Sequence, residues 1–255
     1  MPSIPPPATE PRGAVPAATA IAPRPSLVGH VDALRRLPFL SGIPEEALER
    51  LAALARWRTL DPGEVVLDYG DASDEVFFVA EGTMRVVIRS AAGDETILND
   101  MVAGDIFGEL AAIDGIRRSA NVTALVRSRL CVVPGSAFIQ MVLGHPAAGL
   151  RLMRMLAARL RMKDERMLEA KALPVRQRLI AELLRLSRDR GNGERRLSPP
   201  PPQHVLAARI GLRRETVSRE LAKLARAGLL TTSRGAIILH RPEELRAEIE
   251  ALLHQ

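Results

Sequence analysis

The stretch Phe107 to Ala120, "FGELAAIDGIRRSA", sets Gly108 and Glu109 at one end and Arg117 and Arg118 at the other, with Asp114 and Gly115 between them. A guanidinium presents a rigid fork of donors suited to an oxyanion. Gly108 followed by a short helical turn offers free backbone N–H groups to the same anion. Glu109 cannot bind an anion. It accepts from a hydroxyl, and it stays charged most cheaply when paired with an arginine. A ligand with one phosphate and an adjacent free hydroxyl satisfies both groups, and a ribose 3′,5′-cyclic phosphate has that arrangement through its 2′-OH. The two charges by themselves are equally satisfied by a Glu109–Arg118 ion pair across a turn.

A second group of residues lies in "QHVLAARIGLRRETVSRELAKLARAGLLTTSRGAIILH", Gln203 to His240. Small Ala207 and Ala208, then Gly211 after Ile210, permit a tight turn between two crossing helices, with Leu206, Ile210, Leu212, Val217 and Leu221 as the buried contacts. The second helix then exposes Arg213, Arg214, Glu215, Ser218 and Arg219 near its start. An arginine donates two bonds to guanine O6 and N7, and a glutamate accepts from cytosine N4, so this is chemistry for reading base edges in a major groove. "GLLTTSRGAIILH" reads as a hairpin turning at Ser233 to Gly235, a wing whose Arg234 reaches phosphate. A helical hairpin with a solvated charged face would share the helix pattern alone.

Elements must position these two groups. Met1 to about Ser26 is rich in proline and alanine without periodicity and is expected to be a disordered tail. From Leu27, apolar residues at helical spacing, with a fresh start near Pro44, Glu45 and Glu46, indicate a helical cap. From Leu60 to about Pro134 the period becomes two. Glycine turns at "DPGE", "YGD", "AEG", "AAGDE", "VAGD" and "IDG" separate runs such as "EVFFVA", "TMRVVIR", "ETIL" and "RLCVVP". This is an all-β barrel, roll or sandwich, roomy enough for one small ligand. Pro146 opens a long helix with Leu152, Leu156, Leu160 and Met167 on one stripe, interrupted by Lys163 and Asp164. A parallel second copy is the expected partner for that stripe, hence a homodimer. Pro174 breaks the long helix at Leu173, and the next helix, in "VRQRLIAELLRLSRDRGNG", is expected to run to the glycines, followed by a loop "GERRLSPPPP". The expected domains are therefore a tail 1–26, a capped β-roll 27–145, a dimerisation helix 146–173 and a winged helix-turn-helix 174–255.

Charge separates along the same boundary. The net +6 combines 13 basic against 18 acidic residues in Met1 to His145, net −5, with 23 against 12 in Pro146 to Gln255, net +11. One half is suited to a polyanion, double-stranded DNA, and the other is not. The single Cys131 makes neither an internal disulfide nor a metal site, and the five histidines are scattered as surface or capping residues, so no metal is expected. No apolar run approaches the roughly 20 residues of a membrane span, and the start lacks a signal-peptide pattern. A cytoplasmic protein with no membrane partner is the expectation. Gly-x-Ser-x-Gly, phosphate-loop and metal-ligand spacings are missing, which argues against an enzyme or a cyclic-nucleotide-gated enzyme subunit.

"FGELAAIDGIRRSANVTA" resembles the phosphate-binding cassette of cyclic-nucleotide-binding domains, and "VVLDYGDASDEVFFVAEG" resembles their earlier strand–turn–strand signature. "LAARIGLRRETVSRELAKL" is similar to the DNA-binding motif of the CRP–FNR regulators, the catabolite activator family. The resemblance runs from about Leu34 to His240 in the family's order. It implies an α+β chain: a jelly-roll-like β-roll, a dimer helix and a winged helix-turn-helix. It further implies that Gly108, Glu109 and the adjoining Leu110 lie against the ribose, that Arg118 and Ser119 hold the cyclic phosphate, and that Arg159 pairs with Glu109. Lys163 and Asp164 fall beside the base of the effector, cAMP or cGMP. Arg214, Glu215 and Arg219 match the base-reading positions, which implies a palindromic operator with TGTGA-like half-sites and RNA polymerase as a further partner. A ligand-independent regulator of the same family is the alternative.

Three positions depart from the pattern. Ala112 replaces a bulky aliphatic, and Lys163 and Asp164 stand where cAMP-responsive members resemble one another in carrying hydroxyls. A carboxylate can accept from N1–H and N2–H of guanine, donors that adenine lacks; a polar residue in a helix seam equally sets register. If Asp164 reads the base, Asp164→Ala weakens cGMP more than cAMP in a calorimetric titration, and an equal change in both discards that role.

Overall fold

The computed structural model describes residues 27–90 and 95–253. The expected tail 1–26 and most of the "AAGDE" turn lie outside them.

Helices α1 (Leu27–Arg35) and α2 (Glu45–Leu54) precede eight strands: β1 (Arg56–Leu60), β2 (Val65–Leu67), β3 (Val76–Glu81), β4 (Thr83–Arg89), β5 (Glu95–Val102), β6 (Ile106–Phe107), β7 (Asn121–Ala124) and β8 (Ser128–Val133). They form two antiparallel sheets, ordered β1-β8-β3-β6 and β2-β7-β4-β5. The short helix α3 (Glu109–Asp114) bridges β6 and β7. Helix α4 (Gly135–Gly144) leads into the long α5 (Pro146–Ala172).

Why "VFFV" and "LCVV" are continuous rather than alternating is clear from burial. Phe77, Val79, Leu130 and Val132 point between the two sheets, whereas Val76, Phe78, Cys131 and Val133 point to the helices. Strands covered on both faces read as unbroken apolar runs. Burying Phe77 and Phe78 stabilises the roll by about 1.5–3 kcal/mol each.

Strand β5 behaves differently. Its register against β4 shifts between Val86↔Asn99 and Val87↔Ile97, so Leu98 is an extra, bulged residue. Side chains on a strand alternate, and one extra residue exchanges the faces. Met101 therefore packs between the sheets, while Ile97, also odd-numbered, packs on the outside with Val87.

Helix α5 spans 27 residues, about 40 Å at 1.5 Å per residue. Its expected single stripe divides in two. Leu152 is buried against the roll and Leu156 packs partly there. Met153 and Leu160, both 62% exposed, and Met167, 55% exposed, recur every seven residues on another face. Leu150, Ala157 and Asp164 lie three residues before them.

Leu173 ends α5 in extended conformation and α6 (Val175–Leu186) follows Pro174. Two expectations are corrected beyond it. Helix α6 stops at Ser187, before the glycines, because Ser187 is extended and accepts from the Arg195 guanidinium. The stretch expected to continue as helix instead contains β9 (Arg188–Asp189), and the expected loop contains β10 (Arg195–Leu197), which pairs with it. Helices α7 (Gln203–Ile210) and α8 (Arg214–Arg226), then the hairpin β11 (Leu230–Thr232) and β12 (Ile237–Leu239), complete a sheet ordered β11-β12-β10-β9. Helix α9 (Pro242–Leu253) adds Leu245 and Ile249 to the core formed by α6, α7 and α8. No helix among the described residues is long and apolar enough to cross a membrane.

Cys131 is buried, and desolvation raises its thiol to about 12, with Arg129 pulling weakly the other way. Alkylation requires the thiolate, so iodoacetamide at pH 8 is expected to leave the native thiol unmodified and to react fully only in denaturant. Labelling of the folded protein would contradict this packing.

Candidate functional site

Gly108 caps α3 with φ +82°. A side chain there would place its Cβ 2.7 Å from the Glu75 carbonyl oxygen and 2.9 Å from Arg118 Nη1, so both the conformation and the close approach require glycine. Gly115 closes the same helix with φ +70° and turns the chain back toward Arg118.

Arg118 is 4% exposed. Its Nε donates to Ser73 Oγ at 2.9 Å, Nη1 to the Gly108 carbonyl at 2.8 Å and Nη2 to the Glu75 carbonyl at 2.8 Å. A guanidinium carries five N–H donors, so these bonds fix its plane while leaving two donors. The group also lies over the Phe77 ring, 5.7 Å from its centroid. Burial lowers its pKa, and the carboxylates of Glu75, Asp74, Asp71 and Glu109 oppose that shift.

Glu109 is 3% exposed. It does not pair with Arg118: Arg159 Nη1, from α5, donates to Glu109 Oε1 at 2.6 Å, and Arg159 Nη2 donates to the Ile106 carbonyl at 2.6 Å. The alternative of an ion pair across the turn is thereby set aside, and α5 is tied to the first turn of α3.

Both charged groups line one cavity of about 270 Å³ between the sheets and α5. Gly108, Glu109, Leu110, Arg118, Ser119, Arg159 and Lys163 all line it. Asp164 is exposed and is not among the lining residues; it sits on the exposed heptad face with Leu160 and Met167. Sequence reasoning missed Leu98, Asn99 and Arg166, which also line the cavity. The polar Asn99 between the buried Ile97 and Met101 of β5 was a usable signal, but the bulge that turns it inward has none in the sequence. Arg166 donates through Nη1 to the Leu98 carbonyl at 2.8 Å. A carboxylate held by Arg159 and a pinned guanidinium, on a cavity that Lys163 and Arg166 also line, suit a small anion bearing a hydroxyl.

In the second candidate site Arg213, Arg214, Glu215, Ser218 and Arg219 are all exposed, and they border one cleft with Gln203 and Thr216. Val217, Leu221 and Leu224 turn the opposite face of α8 into the core. Arg213 occupies the N-cap of α8 without a side-chain capping bond. A cation opposes the dipole there, so helix stability does not account for its position. Gln203, at the start of α7, was missed because nothing in the sequence places the start of one helix beside the start of the next. Arg234 is exposed in the turn between β11 and β12.

The chain matches the cyclic nucleotide-binding domain family over residues 57–145 and the Crp-like helix-turn-helix domain family over residues 177–248. It is 25% identical over 217 residues to the CRP-like cAMP-activated global transcriptional regulator of Mycobacterium tuberculosis, covering 84% of this chain and 97% of that one. It is 28% identical over 202 residues to the cyclic AMP receptor protein of Thermus thermophilus, covering 78% and 91%. The crystal structure of TTHA1359, a transcriptional regulator of the CRP/FNR family from Thermus thermophilus, superposes with a TM-score of 0.58 at 26% identity, covering 77% of this chain and 100% of that one.

The geometry separates two glycines that the sequence presents alike. A Cβ at Gly115 meets nothing within 4 Å, so Gly115→Ala is expected to lose only the left-handed penalty of about 1–2 kcal/mol. Gly108→Ala adds overpacking of about 1–3 kcal/mol and is expected to melt lower; equal melting temperatures for the two variants would refute the cradle.

Proposed function

We propose, from the premise that this chain belongs to the CRP/FNR family of transcription regulators, that it is a homodimer whose affinity for a palindromic operator is set by a cyclic nucleotide held between the β-roll and α5. The carrying observation is the pair of nearly inaccessible groups, Glu109 and Arg118, on a single cavity that α5 also walls. Gly108, Glu109 and Leu110 take the ribose side, Glu109 accepting from the 2′-OH, and Arg118 with Ser119 takes the cyclic phosphate. Lys163 lies toward the base. The two relatives named for cyclic AMP favour cAMP as the first ligand to try; Asp164, if it meets a base, does so across the dimer from the partner copy.

Two copies of α5 joined along Met153, Leu160 and Met167 bury a face that is otherwise exposed, with the spacing of a parallel coiled coil. Ligand contacts the roll and α5 together, so it favours one arrangement of α5 against the hinge at Leu173 and Pro174. Arg214, Glu215 and Arg219 read TGTGA-like half-sites, Arg213, Gln203 and Arg234 hold phosphates, and RNA polymerase is met by the DNA-bound dimer.

Calorimetry with cAMP and with cGMP, followed by operator binding, tests the reading. One nucleotide is expected to bind, to tighten operator binding at least tenfold, about 1.4 kcal/mol, and to bind at least tenfold more weakly to Glu109→Gln. Binding-site selection is expected to return a palindrome; operator affinity indifferent to both nucleotides would overturn the proposal.

A further inference from the structure

Strand β5 separates the cavity from the DNA-reading unit, and the bulge at Leu98 is where the two meet. On the inner side Leu98 and Asn99 line the cavity, and Leu98 is gripped through its carbonyl by Arg166 of α5. On the outer side the flanking residues face α7. Ile97 and Val87 pack on Val205 and Ala208. Asp100 holds Arg85 of β4 through two bonds, Nε to Oδ1 at 2.8 Å and Nη2 to Oδ2 at 2.9 Å, and it also receives Arg209 of α7.

Arg209 has a side chain only 5% exposed, and its Nη1 is 3.5 Å from Glu182, itself 1% exposed. Glu182 takes Arg185, and Arg185 holds both oxygens of Glu169 on α5, at 2.6 and 2.8 Å. The ionic chain therefore runs from β4 and β5 through α7 and α6 to α5. Arg166 lies within its field. Burial lowers the Arg166 pKa, Glu182 opposes that, and Arg185 and Arg209 lower it further.

We propose that Asp100 is a positioning residue of the switch, docking the helix-turn-helix unit on the outer face of β5 through Arg209, so that occupancy of the cavity, felt at the Leu98 bulge, favours the docked orientation. The inference rests on the proposed cyclic-nucleotide reading for its ligand, though not for the dock itself. Two physical arguments support it. Register along β5 decides which residues face α7, and that register shifts at Leu98, which itself walls the cavity, so ordering the wall orders the dock. An anion in the cavity also relieves the mutual repulsion of Arg166 and Arg209, which the docked arrangement brings together. Desolvating Arg209 without Asp100 would leave a buried cation with only Glu182, 3.5 Å away and shared with Arg185, which disfavours docking.

Three full-length variants test this: Asp100→Asn, Arg209→Gln, which leaves the Arg85–Asp100 pair in place, and Glu95→Gln. Glu95 removes the same charge from the same hairpin, where it pairs with exposed Arg89. Operator affinity is measured with and without saturating cAMP or cGMP, and amide exchange is followed in β5 and α7. Asp100→Asn and Arg209→Gln are expected to reduce the ligand-induced gain in operator affinity at least tenfold. By linkage they reduce the operator-induced gain in nucleotide affinity by the same factor. They also accelerate exchange in residues 97–101 and 203–210 together, while Glu95→Gln matches wild type within about twofold.

Wild-type coupling in folded Arg209→Gln overturns the proposal, as does unchanged exchange in α7. Should Asp100→Asn fail to fold, Arg209→Gln decides. If wild-type operator binding ignores both nucleotides, the cyclic-nucleotide reading fails instead, and the exchange data then judge the dock alone.

Discussion

A guanidinium almost sealed from water is the constraint on which the cyclic-nucleotide domain turns. Arg118 is tolerated at 4% exposure because Ser73, Gly108 and Glu75 each accept one of its donors. An unpaired buried cation would cost several kcal/mol. Those acceptors come from the loop before β3 and from the residue that opens α3, so satisfying one side chain fixes two segments distant in sequence. Backbone bonds reinforce the arrangement: Gly70 N–H donates to the Arg118 carbonyl and Arg118 N–H to the Asp71 carbonyl, both at 2.9 Å.

From that anchor the contacts lead outward. α3 begins at Glu109, and Glu109 finds its cation on α5 rather than on its own loop. α5 in turn grips the bulge of β5 through Arg166, and β5 carries Asp100 to Arg209 on α7. Each step joins a buried or half-buried charge to a partner on a different element. Such pairs contribute less to net stability than their short distances suggest, because desolvation offsets much of the attraction. Their geometric selectivity is the more consequential property, since a buried charge tolerates few alternative placements.

The two ends of α8 and its two faces show a related division of labour. Val217, Leu221 and Leu224 secure the helix to the core, which frees the face carrying Arg214, Glu215 and Arg219. Arg213 at the N-cap makes no side-chain capping bond, and its charge opposes the helix dipole there.

Local chemistry made much of this legible in advance. Apolar runs with glycine turns marked β3, β4 and β8, proline marked the break between α5 and α6, and the charge step at Pro146 fell at the start of α5, because each of these is a property of neighbouring residues. The cassette and helix-turn-helix residues were legible for the same reason. What the sequence could not decide were pairings between residues far apart or dependent on exact register: Arg195 stopping α6 at Ser187, the bulge that turns Asn99 inward and Ile97 outward, the division of the α5 stripe, and Arg209 meeting Asp100. Those follow from which surfaces the completed sheets leave facing one another, and only the tertiary structure determines that.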